Sequence, residues 1–399
     1  MNEQGLAQYA SSAQHSRGRR FSVSSSPTRS EFQRDRDRII HSTAFRRLQN
    51  KTQVFLQHEG KHYRNRLTHT LEVSQMARSM ARALRLNEDL AEAIALSHDL
   101  GHTPFGHAGE RVLDEKLIEV SGFDHNIQAL RVVTLLENRY AEHDGLNLSW
   151  ETLEGILKHN GPLVDADGQP LGRYRDTGLP SYLLEVPGAD GLEMQTFASL
   201  EAQCAAIADD VAYNAHDIDD ALRAGLLSLD DLGDVPLVGP IVREVQASYP
   251  DVAPKRQAHE VQRRLITRQI EDVIKTTEFS IADEGVATVD DVRLAGQALV
   301  RFSVPLAEAE KALKSFLFAQ VYRSDAVMAP VLESQRLVSA LYERYIETGD
   351  MPGRWGKAAA TASNEAARAR IVGDFIAGMT DPYAIDEYAR LFDARPVFS

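Results

Sequence analysis

The chain has 399 residues, 43% hydrophobic and 26% charged, with a formal net charge of −14. That length suffices for one large helical domain or two smaller ones, and no stretch is apolar for long enough to cross a bilayer. The acidic balance argues against a surface that grips nucleic acid as a whole, but leaves room for an anionic small molecule met by a few local cations. The single cysteine, Cys204, excludes a disulfide framework and a thiolate-built metal cluster, so any metal must be held by His and carboxylate. The first residues lack the apolar core of a secretory signal, and the expected compartment is the cytoplasm.

In chain order, residues 1–30 are rich in Ser and Arg and read as an irregular arm. Arg17, Arg19 and Arg20 are expected to be solvated and mobile there, or else to touch nucleic acid or a neighbouring subunit. Helical signals take over at Glu31. Charges interleave with Ile39, Ile40, Phe45 and Leu48 over 34–48, and Leu71, Met76, Met80 and Leu84 give 67–86 an amphipathic spacing. Asn87-Glu88-Asp89 caps a helix running from 90 to about 100, which Gly101 ends. Thr103-Pro104-Phe105-Gly106 is a turn, 108–119 resumes a helix, and 126–139 and 150–158 continue in the same mode. Residues 161–187 form the longest loop-like interruption. Helices follow at roughly 195–224, 255–281, 305–325, 330–347 and 363–378. Strand-like alternation is confined to 51–55 and 285–292. The fold class is all-α, with a catalytic domain over 31–225 and a helical portion over 226–399 that completes the site and makes oligomer contacts.

Within the run Leu96-Ser97-His98-Asp99-Leu100-Gly101-His102-Thr103-Pro104-Phe105-Gly106-His107, four side chains able to bind a metal or a phosphate fall in ten positions. They are His98, Asp99, His102 and His107. A helix that buries itself has little use for an adjacent His and Asp unless something offsets their desolvation, and a metal ion accepts neutral imidazole and carboxylate together. Seven of the thirteen histidines lie between His58 and His125. Four positions fit a mononuclear site: His69, His98, Asp99 and Asp209. Two imidazoles and two carboxylates leave open positions on an octahedral ion, which suits Mn²⁺, Mg²⁺ or Fe²⁺, with Co²⁺ as a further candidate. Asp209 and Asp210 are adjacent, and only one can face the ion. The i+4 relation to Tyr213 favours Asp209.

This pattern, H…HD…D, resembles the HD-domain phosphohydrolases. Further blocks narrow the resemblance: Arg46-Arg47-Leu48-Gln49-Asn50-Lys51-Thr52-Gln53-Val54-Phe55, the continuation of the His98 run to Glu110, Phe123-Asp124-His125-Asn126-Ile127-Gln128, and Ala208-Asp209-Asp210-Val211-Ala212-Tyr213. Together they are similar to the dGTPase family of deoxynucleoside triphosphate triphosphohydrolases. They span about 29–225, and Phe375-Ile376-Ala377-Gly378-Met379-Thr380-Asp381 is a less specific match further on.

The resemblance implies that an ion holds the α-phosphate while hydroxide attacks it, releasing deoxynucleoside and intact triphosphate. Arg66, three residues before His69 on one helix face, would grip a phosphate oxygen. His102, His107 and His125 would line the triphosphate channel. Glu110, three residues after His107, would orient that imidazole and raise its pKa, fitting His107 to protonate the departing 5′ oxygen. Tyr213 would pack on the deoxyribose where a 2′-hydroxyl collides, with Asp217 on the same stripe and Gln53 hydrogen-bonding the sugar. Lys314, Tyr322 and Arg323 are candidates for distal phosphate contacts. The family also implies a homo-oligomer (hexamer or tetramer), with a dNTP or single-stranded DNA as effector.

Blander readings stand beside these. His98-Asp99 alone fits a helix C-terminal His with a capping carboxylate, Arg66 a surface salt bridge, Tyr213 a core aromatic and Gln53 a polar loop residue. His102, His107 and His125 also fit a second metal site. His58 and His62 read as loop residues, and His143, His159 and His216 remain unassigned. The rival functions are another HD phosphohydrolase, acting on a nucleoside monophosphate, cyclic nucleotide or alarmone, and a non-catalytic nucleotide or single-stranded DNA sensor. No readable motif ranks the four bases.

Overall fold

The structure, a computed structural model, describes residues 5–53 and 64–398. His58, His62 and the end of the 51–55 alternation lie outside the described residues. Among those described there is no strand, only isolated bridges such as Thr52 with Asn65. The fold is all-α.

The helices in chain order are α1 (Glu31–Ile40), α2 (Thr43–Arg47), α3 (Arg66–Ala83), α4 (Glu88–Ser97), α5 (His107–Lys116), α6 (His125–Arg131), α7 (Trp150–Leu157), α8 (Ser181–Leu184) and α9 (Leu200–Ala224). They continue as α10 (Gly239–Ser248), α11 (Pro254–Asp283), α12 (Val289–Leu294), α13 (Val304–Leu317), α14 (Asp325–Thr348), α15 (Gly353–Ala360), α16 (Glu365–Ala377) and α17 (Asp381–Phe392). Local chemistry sets many of the boundaries. Ser30 and Gln33 close a capping box on α1, Asn87 accepts from the Leu90 amide ahead of two acidic residues at the start of α4, and left-handed Gly225 ends α9.

Two expectations change here. Residues 285–292 are not a strand: Thr288 and Asp291 form a capping box that starts α12, and this local signal overrides the alternation. Residues 126–139 and 305–325 are not continuous α-helices. In each, the last turn widens into a π segment, Val132–Leu136 and Phe318–Tyr322.

Helix α4 sets the architecture. Ala91, Ala93, Ile94, Ala95 and Leu96 are all buried, so the second half of the helix is apolar nearly all round, and α1, α3, α7 and α9 pack against it; Glu88, Asp89 and Glu92 form its half-exposed polar edge. Its C-terminus passes directly into a 3-10 turn, His98–Gly101. Gly101 is required there, because a Cβ would fall 1.9 Å from the His125 carbonyl oxygen at the start of α6. The C-terminal helices share cores with the N-terminal ones: Val273 of α11 joins the α3–α4–α9 core, and Leu113 and Phe123 pack with Leu337, Leu341, Val372 and Ile376.

The N-terminal segment is irregular and only partly solvated: Arg20 is exposed, as expected, but Arg19 is not. The Arg19 guanidinium is buried against Asp35 and Glu31, and Arg17 donates to Glu193 at 2.5 Å and stacks over Trp150. Ser11 donates from its amide and hydroxyl to buried Glu201. Asp35, fully buried, also accepts from the Ser149 amide and hydroxyl and from Thr152. Asp35→Ala should therefore strand a buried guanidinium and lower stability by about 3–5 kcal/mol. Urea unfolding measures this, and a loss below about 1 kcal/mol would mean that Arg19 behaves as a surface cation.

Candidate active site

Helices α3, α4 and α9 deliver the four proposed ligands. His69 lies one turn into α3, His98 and Asp99 leave the end of α4, and Asp209 sits mid-way along α9. The ligand atoms of His69, His98 and Asp99 all lie within 4.8 Å of one another. Asp209 Oδ1 is 2.8 Å from His69 Nε2 and 3.6 Å from His98 Nε2. Asp210 turns the other way, to Lys314 Nζ at 2.8 Å.

The donor set fits a divalent cation on one specific ground. The Nδ1–H of His98 donates to the Ala95 carbonyl at 2.6 Å, which leaves Nε2 bare and aimed at the cluster. That Nε2 and Asp99 Oδ2 are buried without a hydrogen-bond partner. Buried lone pairs gathered this closely call for a cation among them.

Electrostatics around the carboxylates agree. Burial opposes ionisation of Asp99, yet Arg66, His98 and His102 hold it well below the usual range. Burial likewise opposes ionisation of Asp209, and His98, His159 and His69 overcome it. Asp210 goes up instead: burial outweighs Lys314. Arg66 NH1 donates to Asp99 Oδ1 at 2.9 Å, and both side chains are buried.

A second cluster adjoins the first. His102 Nδ1 is 3.0 Å from Asp99 Oδ1, and its ring stacks on His125 at 4.2 Å between centroids. Glu110 bridges two imidazoles, taking His107 Nδ1 at 3.0 Å and His125 Nδ1 at 2.8 Å. Burial opposes ionisation of Glu110, but His125 and His107 keep it a carboxylate far below the usual range, and Glu110 in turn raises His125. Burial, with Arg66 and His125 beside it, lowers His102 well below the usual imidazole range. His107 is the most exposed of the set, its side chain 56% accessible.

The loop between the clusters is clipped from both sides. Lys51 Nζ donates to the carbonyls of His102 and Ala377, and Asp381 accepts from the Thr52 and Phe105 amides at 2.8 Å. Phe105 holds a left-handed φ of +60° under that clip. Gly106 follows it, where a Cβ would meet the Arg66 guanidinium at 2.7 Å.

Family comparison follows this geometry. Residues 66–214 match the HD domain and 300–390 the phosphohydrolase-associated domain. The deoxyguanosinetriphosphate triphosphohydrolase-like protein of Brucella ovis is 54% identical over 391 residues, 98% of this chain and 96% of that one. The chain belongs to the deoxyguanosinetriphosphate triphosphohydrolase-like family of HD-domain proteins. Similarly named relatives from Bradyrhizobium diazoefficiens and Mesorhizobium japonicum, the latter numbered 1, are each 53% identical, with 98% of this chain covered and 97% and 96% of theirs.

Other expected family positions are placed less evenly. Tyr213 and Tyr322 both turn to buried Asp217, which burial and nearby Asp220 push well above the usual carboxylate range. Gln53 lies by Gly106, its Oε1 buried without a partner. Two distal-phosphate candidates are not brought to the histidines. Lys314 is neutralised by Asp210 and Glu310, and Arg323 is exposed, stacked over Phe318 at 4.7 Å. His143 is remote, stacked on Phe21.

Two unassigned histidines prove to be near neighbours of the cluster. His159, just beyond α7, lies 3.5 Å from Asp209 and stacks on His98, beside a cavity of about 310 Å³ that opens onto Asp209. His216 stands behind His69, with Nδ1 atoms 3.0 Å apart. Its spacing was a usable signal, since seven residues after Asp209 is two turns along one helix face. If the cluster is a metal centre, Asp209→Asn should weaken Mn²⁺ binding by at least the roughly 10–100-fold typical of losing a mere outer-shell partner. Asp210→Asn should leave binding unchanged. Calorimetric titration separates the two, and equal effects would reject the assignment.

Proposed function

We propose that this protein hydrolyses deoxynucleoside triphosphates to deoxynucleoside and triphosphate with a divalent ion, Mn²⁺ or Mg²⁺, held by His69, His98, Asp99 and Asp209. The supporting observation is the junction at Asp99, where the His/Asp ligand set meets the Glu110-linked histidines. The names of the relatives support the substrate class. When bound, the ion supplies charge that polarises a phosphate oxygen and lowers the pKa of a water.

The remaining groups have work suited to their placement. Arg66 fixes the Asp99 carboxylate, and by the family resemblance its guanidinium would also meet a phosphate oxygen. Glu110 takes the Nδ1–H of both His107 and His125, turning each Nε2 outward. His107, the accessible one, is then placed to give its Nε2 proton to the departing 5′ oxygen. Glu110 is already committed to two imidazoles, which favours proton handling here over a second ion. Tyr213 would border the sugar. The homo-oligomer that the family resemblance implies is kept as part of the proposal. Light scattering that shows a monomer would reject that part.

With Mn²⁺ or Mg²⁺, each accepted dNTP should yield tripolyphosphate, and chelation should abolish turnover. Release of pyrophosphate or orthophosphate instead would overturn the reading and favour another HD phosphohydrolase. His107→Ala should lose roughly 10²–10⁴-fold in kcat with nucleotide affinity nearly kept. A wild-type protein that binds dNTPs without turnover would instead be a sensor.

A further inference from the structure

A hydrogen-bonded chain leads from the proposed metal centre to the protein surface, made of residues the catalytic reading does not use. His69 Nδ1 is 3.0 Å from His216 Nδ1, and His216 Nε2 is 2.7 Å from Glu72 Oε2. Both imidazoles are 1% exposed, whereas Glu72 is 41% exposed and is held by Arg64 at 3.1 Å. Glu72 lies three residues after His69 on α3 and His216 seven after Asp209 on α9, so the two ligand-bearing helices each supply one member.

We propose that Glu72 and His216 are positioning residues that lock His69 in the tautomer a metal ligand needs. The inference rests on the metal-centre reading above and extends it to a second layer. An ionised carboxylate only accepts, so His216 Nε2 must carry the proton facing Glu72. A divalent cation just beyond His69 disfavours a second positive charge on the His216 ring. Neutral His216 then has its one lone pair at Nδ1, and His69 must donate to it from Nδ1–H. The lone pair of neutral His69 is thereby placed on Nε2, the atom that faces Asp209 at 2.8 Å. Two bare acceptors at that separation repel unless a cation sits with them. The relay therefore orients the His69 ring, fixes its proton and commits the opposite edge to the ion.

The test is Mn²⁺ affinity by calorimetry on the full chain, with unfolding midpoints of the metal-free forms as the folding control. His216→Ala and Glu72→Ala should each bind about 10–100-fold more weakly than wild type with ordinary metal-free folding. His216→Gln should recover part of the loss, because its Oε1 can accept from His69 Nδ1–H. In ¹⁵N spectra of the wild type loaded with diamagnetic Mg²⁺, His69 should be protonated at Nδ1 and His216 at Nε2. If His216→Ala fails to fold, half-exposed Glu72→Ala decides. Variants that bind as wild type does, or the opposite tautomers, overturn the relay and leave the metal centre standing. A wild type with no saturable Mn²⁺ binding overturns both.

Discussion

The site depends on burying the C-terminal half of α4. That half of the helix ends inside the protein, so His98 and Asp99, both buried, emerge where α3 and α9 already present His69 and Asp209. Placing a carboxylate there is costly, and the Arg66 guanidinium, itself 2% exposed, offsets much of that cost. The Arg66–Asp99 pair thus joins α3 to the turn after α4.

From that junction the site grows in two directions with different chemistry. Toward α9 it is a set of lone pairs and carboxylates suited to a hard cation. Toward α5 and α6 it is a carboxylate that gathers two imidazoles by their Nδ1 edges, Glu110 with His107 and His125. His102 belongs to both, touching Asp99 and stacking on His125. The short turn from His98 to His107, with Gly101 allowing close approach to α6, keeps the two halves in contact.

Much of this was legible along the chain because its signals are local. The cap at Asn87 and the adjacency of His98 to Asp99 need no knowledge of distant residues. Asp209 over Asp210 followed from helical spacing, and the geometry turns Asp209 to the histidines. What escaped reading depends on tertiary partners. Arg19 looks like any cation in a Ser-rich arm until Asp35 is seen beneath it. His159 sits on irregular backbone past α7, where no periodicity points. Lys314 reads as a free phosphate ligand only while Asp210 and Glu310 are left out of view.

The Asp381 clip has a consequence for how the molecule comes into being. The loop carrying Phe105 obtains its strained shape from a carboxylate 276 residues later in the chain. Domains emerge from synthesis N-terminal part first, so the histidine-bearing segment exists long before the group that shapes it. The turn that leads into His107 would be among the last features to mature, after the helices that carry His69, His98, Asp99 and Asp209 have been made.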